Sequence, residues 1–291
     1  MADASHELAL LFPGQGSQTP DMREQVEAHR PDLLALARSE VSDDLFERAE
    51  EGTRWAQPAI YCAALAGYEA LKDRYEPAWM AGHSLGEISA LVAADALDAE
   101  DGLRLVAARG RLMQEAAEQT GDGGMLVVRV RDRAPVEEAA AQAGLSIAND
   151  NAPDQLVLSG AIAALDEAER LLSERRVRAK RLPVAGAFHS PLMEPAVEPF
   201  RALVEQTPVS EPRVPVMSCV TAAPFEDVRG QLIQALTRPV RWTDVLRALQ
   251  AAGATHFLET GPGRVLTGLT RKTLDGVEAE APLYAMEAAS A

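Results

Sequence analysis

Hydrophobic positions in this chain come in short unbroken runs separated by stretches of helical period. The first run, "LALLF" (8–12), is apolar throughout and ends in "PGQGSQ", which predicts a buried strand followed by a loop. Residues 58–72 show helical spacing with Pro58 at the start, where its missing N–H is no loss. "PAWMAG" (77–82) has strand length, "SLGEISALVAADAL" (84–97) reads as the helix after it, and 99–119 predict a longer amphipathic helix. A "TGDGG" loop (120–124) changes the rhythm. Beyond it come "MLVVRVR" (strand), "APVEEAAAQAG" (helix), "LSIAND" and "DQLVLSG" (strands), "AALDEAERLLSERR" (helix) and "VRAKRLPV" (strand). That order, β-α-β-β-α-β, is the ferredoxin-like pattern. Longer helical segments return after residue 188, with strands predicted at 214–220 and 255–260, the second followed by a "GPG" turn and a helix. The expected fold is α/β. A mostly parallel, helix-covered sheet is built from residues 1–123 and 189–291, with a ferredoxin-like unit, 124–188, inserted.

Composition narrows this picture. At 291 residues the chain suits one large domain with a small insert. Aromatics are only 4%, so the core must be built from Ala, Leu and Val. A formal charge of −16 argues against nucleic acid as a partner, since phosphate binding needs a dominant positive field. Cys62 and Cys219 have no metal-ligand spacing and are expected as buried reduced thiols. "MADASHELALLFPG" lacks the basic region and apolar length of a signal peptide, and no run reaches membrane-spanning length. A cytoplasmic location, no membrane contact and a monomer are expected.

The candidate chemistry centres on "GHSLG" (82–86), which fits the nucleophile elbow G-x-S-x-G. A tight strand-to-helix turn projects Ser84, and bulk at positions 82 and 86 would clash across it. The unpaired N–H groups at the start of the following helix point at the site, so the N–H of Leu85 is a candidate oxyanion donor. A second donor must come from another loop, and "GQGSQ" is the candidate; an ordinary glycine turn is the alternative. Of five histidines, His6 and His29 sit in polar surroundings, His256 in an apolar strand, and His83 diverges from its neighbour Ser84. His189, in a Gly- and Pro-bounded loop, remains as the base; a loop histidine without a role is the alternative. No acidic residue presents itself to orient it. Arg109 lies on the apolar side of the 99–119 helix with Leu105, Leu112 and Met113, so its guanidinium should face an anion: a substrate carboxylate, or an internal acidic partner.

"FPGQGSQ", "GHSLGEISALVAA", "RGRLMQEA", "GAFHSPLM", "PVRW" and "ETGPGRVLTGL", in this order, resemble malonyl-CoA:acyl carrier protein transacylases over residues 8–274. The resemblance implies an α/β-hydrolase-like large subdomain and malonyl-CoA as substrate, with no bound cofactor or metal. It implies malonyl transfer through Ser84 to the phosphopantetheine thiol of an acyl carrier protein, in fatty acid or polyketide synthesis. It makes His189 the base, Arg109 the holder of the malonyl carboxylate, and the N–H groups of Gln15 and Leu85 the oxyanion hole. Phe188 would exclude a branched α-carbon, and Asn149 and Asn151 match a family Asn pair near the cleft. In this family the histidine leans on a backbone carbonyl, and one position departs from the pattern: Ala235 stands where relatives often carry a Gln, a change that is harmless if only the carbonyl there meets the histidine and that disturbs its orientation if the Gln side chain matters. A serine thioesterase or esterase is the rival reading; it shares the nucleophile but does not require Arg109. The run "ERRVRAKR" (Arg175, Arg176, Arg178, Lys180, Arg181), with Arg129, Arg131 and Arg133 near it, is the candidate docking face for an acidic carrier protein.

Overall fold

Strand β1 (Leu8–Phe12) is buried at all five positions, as a strand covered on both faces must be. In the computed structural model, which describes residues 7–184 and 186–281 and therefore not His6, it lies in the middle of a six-stranded sheet. β2 (Trp79–Gly82) and β9 (His256–Glu259) flank it in parallel, and β7 (Val216–Ser218) and β10 (Glu278–Glu280) extend the sheet, also parallel. The short β8 (Ala223–Pro224) closes one edge antiparallel to β7.

The period-two alternation of β1 divides the core. Leu8, Leu10 and Phe12 face a layer containing α1 (Met22–His29), α2 (Pro31–Glu40), α3 (Thr53–Leu71), α4 (Gly86–Ala93), α5 (Ala99–Thr120) and α8 (Glu194–Gln206). Ala9 and Leu11 face α10 (Trp242–Ala251) and α11 (Val265–Thr273). α9 (Val228–Gln234) adds Leu232 and Ile233 to the first layer. Alanine carries much of α3, including Ala56, Ala59, Ala63, Ala64 and Ala66, all buried, so neighbouring helices approach closely without aromatic filling. Each fully buried Leu or Phe stabilises by about 1.5–3 kcal/mol.

A second, antiparallel sheet is made of β3 (Gly123–Arg129), β4 (Ser146–Ala152), β5 (Gln155–Ala161) and β6 (Ala179–Arg181), in the order β4-β5-β3-β6. Its helices are α6 (Ala134–Ala143) and α7 (Ile162–Glu174), so the β-α-β-β-α-β order expected from the sequence is present. Leu126, Val128, Leu156 and Leu158 pack on those helices. Met125, Val127 and Val157 turn the opposite way, towards the large sheet. A parallel bridge between Asn149 of β4 and Val240 ties the small sheet to the segment between α9 and α10.

Several element boundaries differ from the expectation, and three of them bear on the site. α3 starts at Thr53, so Pro58 lies inside it rather than at its start. The helix after Ser84 stops at Ala93, before Asp95 takes a left-handed φ of 60°. The expected strand 177–184 shortens to Ala179–Arg181, because it pairs only with β3 and then leaves the sheet to line a cleft with Leu182, Pro183 and Val184. Cys62 and Cys219 are buried and unlinked, and no helix among the described residues is long and apolar enough to cross a membrane.

Candidate active site

β1 and β2 run side by side, and the loops at their carboxyl ends meet. At the end of β2 the chain turns sharply, with Ser84 at a φ of 57°, and enters α4. The turn needs both glycines. A Cβ at Gly82 would stand 1.9 Å from the carbonyl carbon of Gly86, and one at Gly86 would stand 2.2 Å from the Phe12 oxygen. His83 diverges from Ser84 as expected. Its Nε2–H donates to Asn151 Oδ1 at 2.8 Å and its ring lies edge-on to Trp242.

His189 reaches the serine from across the cleft. Ser84 Oγ is 2.9 Å from its Nε2, and its Nδ1–H donates to the carbonyl oxygens of Ala235 at 2.8 Å and Arg238 at 3.2 Å. Those carbonyls fix the tautomer: with the proton on Nδ1, the Nε2 lone pair faces the hydroxyl. Burial, with Arg109 and His83 adding to it, pushes the conjugate acid of His189 down to about 3, so the ring is neutral. Ala235 supplies only its carbonyl here, so the side chain that distinguishes Gln from Ala is not part of this contact.

Arg109 is buried on the apolar side of α5, as its position predicts. Its Nη1 donates to Gln57 Oε1 at 2.8 Å and its Nη2 to Ser84 Oγ at 3.1 Å. Among the described ion pairs none involves Arg109. Burial pulls its pKa down to about 10, opposed by the field of Glu87, a carboxylate beneath the elbow that accepts the Cys219 N–H at 2.7 Å. Burial in turn pushes Glu87 up to about 7. The guanidinium therefore stays charged while hydrogen-bonded only to neutral groups, a state that favours an incoming anion.

These groups open into a cleft of about 520 Å³ under the second sheet. Gln15, on the loop after β1, lines it, and Thr53 Oγ1 donates to Gln15 Oε1 at 2.8 Å. Gln57 Nε2 donates to that same Thr53 oxygen at 2.9 Å, so the loop and the Arg109 fork share one network. Leu85 is the N-cap of α4 and also lines the cleft. Phe188 is buried at the cleft wall. Asn149 and Asn151 both line it; Asn151 is engaged by His83, whereas the buried Oδ1 of Asn149 has no partner among the described residues.

The cationic run is only partly available. The Leu126–Arg181 pair places Arg181 on the helix face, where Asp166 at 2.7 Å and Glu169 at 3.1 Å take it, and Arg175 pairs with Glu138 at 3.4 Å. Arg133 is held by Asp150. Arg176, Arg178 and Lys180 are exposed and form no ion pair among the described residues. Arg129 and Arg131 are exposed beside them. Lys180 shares its face with Val127, its partner across β3, and so looks towards the cleft side.

Sequence reasoning passed over Gln57, because a helix expected to begin at Pro58 left it outside. A polar residue directly before the long apolar run of α3 was the available signal. His29, whose polar surroundings predict exposure, is half-buried. His256 packs edge-on to Tyr75, as a strand histidine in apolar company should.

Comparison with known proteins follows the same lines. The family described as acyl transferase domain matches residues 10–287. The polyketide biosynthesis protein ThaF of Burkholderia thailandensis is 41% identical over 281 residues, covering 91% of this chain; the chain spans only 24% of that protein's length. The malonyl CoA-acyl carrier protein transacylase of Escherichia coli K12 is 36% identical over 297 residues, covering 94% of this chain and 95% of the relative. Among solved structures, the malonyl-CoA:acyl carrier protein transacylase of Xanthomonas oryzae pv. oryzae superposes with a TM-score of 0.90 at 36% identity, covering 100% of this chain and 98% of that one. A malonyl-transacylase in complex with its type II PKS acyl-carrier protein gives a TM-score of 0.88 at 33% identity, with 95% and 96% covered.

Proposed function

The chain belongs to the acyl transferase domain family, and we propose that it moves a malonyl group from coenzyme A to the phosphopantetheine thiol of an acyl carrier protein through an ester on Ser84. One observation carries this reading: a single hydroxyl stands 2.9 Å from a neutral imidazole nitrogen and 3.1 Å from a buried guanidinium outside every described ion pair.

The steps follow from those contacts. His189 Nε2 takes the Ser84 proton as Oγ attacks the thioester carbonyl, and the tetrahedral oxyanion lies between the backbone N–H groups of Gln15 and Leu85. Collapse expels the coenzyme A thiolate, which takes the proton back from His189. The carrier thiol then gives its proton to His189, its sulfur attacks the serine ester, and Ser84 regains the proton on release. Arg109 holds the free malonyl carboxylate throughout; Gln57 turns the fork so that Nη2 faces the acyl group. Asn149 Oδ1 offers an acceptor to the pantetheine amides, and Phe188 narrows the space around the α-carbon. Arg176, Arg178 and Lys180 supply the local positive patch that an acidic carrier needs on a chain of net charge −16. Every group named lies on one chain, so the proposal requires no second subunit.

Intact-mass measurement after mixing with malonyl-CoA tests it. One malonyl group is expected on the native protein and none on Ser84→Ala; an unmodified native protein sinks the reading.

A further inference from the structure

The segment that orients His189 does not stand by itself. Its two acceptor carbonyls, Ala235 and Arg238, lie between the end of α9 and the start of α10, and Pro239 confines Arg238 to extended backbone. Val240 is then bonded twice to β4: its N–H donates to Ala148 O at 2.8 Å, and its carbonyl accepts the Asp150 N–H at 2.9 Å. The Asp150 carboxylate adds a second tie. It accepts from Arg133 Nη1 at 3.1 Å and Nη2 at 2.8 Å within the small unit, and from Thr243 Oγ1 at 2.7 Å on the first turn of α10. Thr243 is buried, and the carboxylate meets the positive end of that helix.

We propose that Asp150 is a positioning residue for the base: by locking Val240 and Thr243 to β4 it fixes the Ala235 and Arg238 carbonyls, and through them aims His189 Nε2 at Ser84. The inference rests on the acyl-transfer reading above. In a Ser-His-Asp triad the carboxylate touches the imidazole and holds it directly. Here two carbonyls touch it, and a carbonyl is aimed only as well as the backbone that carries it. Asp150 supplies that rigidity from the other sheet. Its neighbours Asn149 and Asn151 line the cleft, and Asn149 keeps its own backbone pairing with β5 and Val240.

The test compares native protein with Asp150→Ala, Asp150→Asn and Thr243→Val. Single-turnover acylation by malonyl-CoA, melting temperature and the imidazole 15N spectrum are recorded for each. Asp150→Ala is expected to lower the maximal acylation rate about tenfold to a hundredfold, the scale of a misplacement near 1 Å. The KM for malonyl-CoA should stay within about twofold, because Arg109 is untouched. Asp150→Asn keeps an oxygen for Thr243 and should recover most of the rate, with Thr243→Val in between. The His189 spectrum should change from a single Nδ1–H tautomer to a mixture in Asp150→Ala. Native-like acylation in that variant overturns the proposal. So does a rate loss that follows only the unfolded fraction, or only KM, with the His189 tautomer unchanged. If the native protein itself forms no ester on Ser84, the acyl-transfer reading fails, and the tautomer comparison still decides whether Asp150 positions the ring.

Discussion

Replacing Arg109 by Ala separates a malonyl transferase from a general serine acyltransferase. In the proposed acyl-enzyme the guanidinium makes two charge-assisted hydrogen bonds to the malonyl carboxylate, each worth about 1.5–3 kcal/mol. Losing both corresponds to a fall of roughly a hundredfold to ten-thousandfold in kcat/KM for Ser84 acylation. The variant also loses the Nη2 contact to Ser84 Oγ at 3.1 Å, which affects any acyl donor. That contact, also donated by a charged group, is worth about 1.5–3 kcal/mol, or about tenfold to a hundredfold on every donor alike. The informative quantity is therefore a ratio. Acylation by malonyl-CoA and by acetyl-CoA, followed by quenched-flow intact mass, should converge in Arg109→Ala because only the malonyl rate loses the carboxylate contribution. Gln57 Oε1 is left without its donor, which costs about 1–3 kcal/mol of stability. Melting temperature must therefore be read alongside, and assays run well below it. Equal losses on both donors would refute the clamp and leave Arg109 a support for Ser84 alone.

Three further outcomes are expected. Because burial, with Arg109 and His83, holds the His189 acid at about 3 against an ordinary 6.5, kcat/KM for acylation should show no acid limb near 6.5; one that survives Glu87→Gln refutes the neutral, buried base. The sign for stability follows: the unfolded chain binds this proton first, so the contribution of neutral His189 is complete above 6.5 and is lost as pH falls towards 3. Gly82→Ala places a Cβ 1.9 Å from backbone of Gly86, so the elbow cannot close, and the acylation burst should fall by about a hundredfold or more; a full burst would show that the turn can relax. Arg176→Glu with Arg178→Glu should raise the KM for an acidic carrier, less so at high salt, and spare that for malonyl-CoA; parallel changes for both substrates would remove the docking face.

Much of the site was readable because its chemistry depends on local rules. Glycines on both sides of Ser84 answer a steric demand within one turn, and a guanidinium on the apolar side of α5 violates the helix period in a way that itself signals an anion. The β-α-β-β-α-β order was readable for the same reason. Its strands and helices have distinct periods, and its sheet keeps one face for its own helices. Within the cationic run, which acids of α7 stand opposite Arg181 was not legible, because that depends on how the helix packs across the sheet.

By itself, then, the chain's sequence determined the strands and helices around the cleft, the tight turn that carries Ser84 and the burial of Arg109, all set by neighbours within a few turns. Only the tertiary structure decided which carbonyls hold His189, why Gln57 matters and that Asp150 ties the small sheet to α10. A backbone carbonyl has no sequence signature, because every residue carries one. Whether it faces an imidazole depends on how the α9–α10 segment packs against β4.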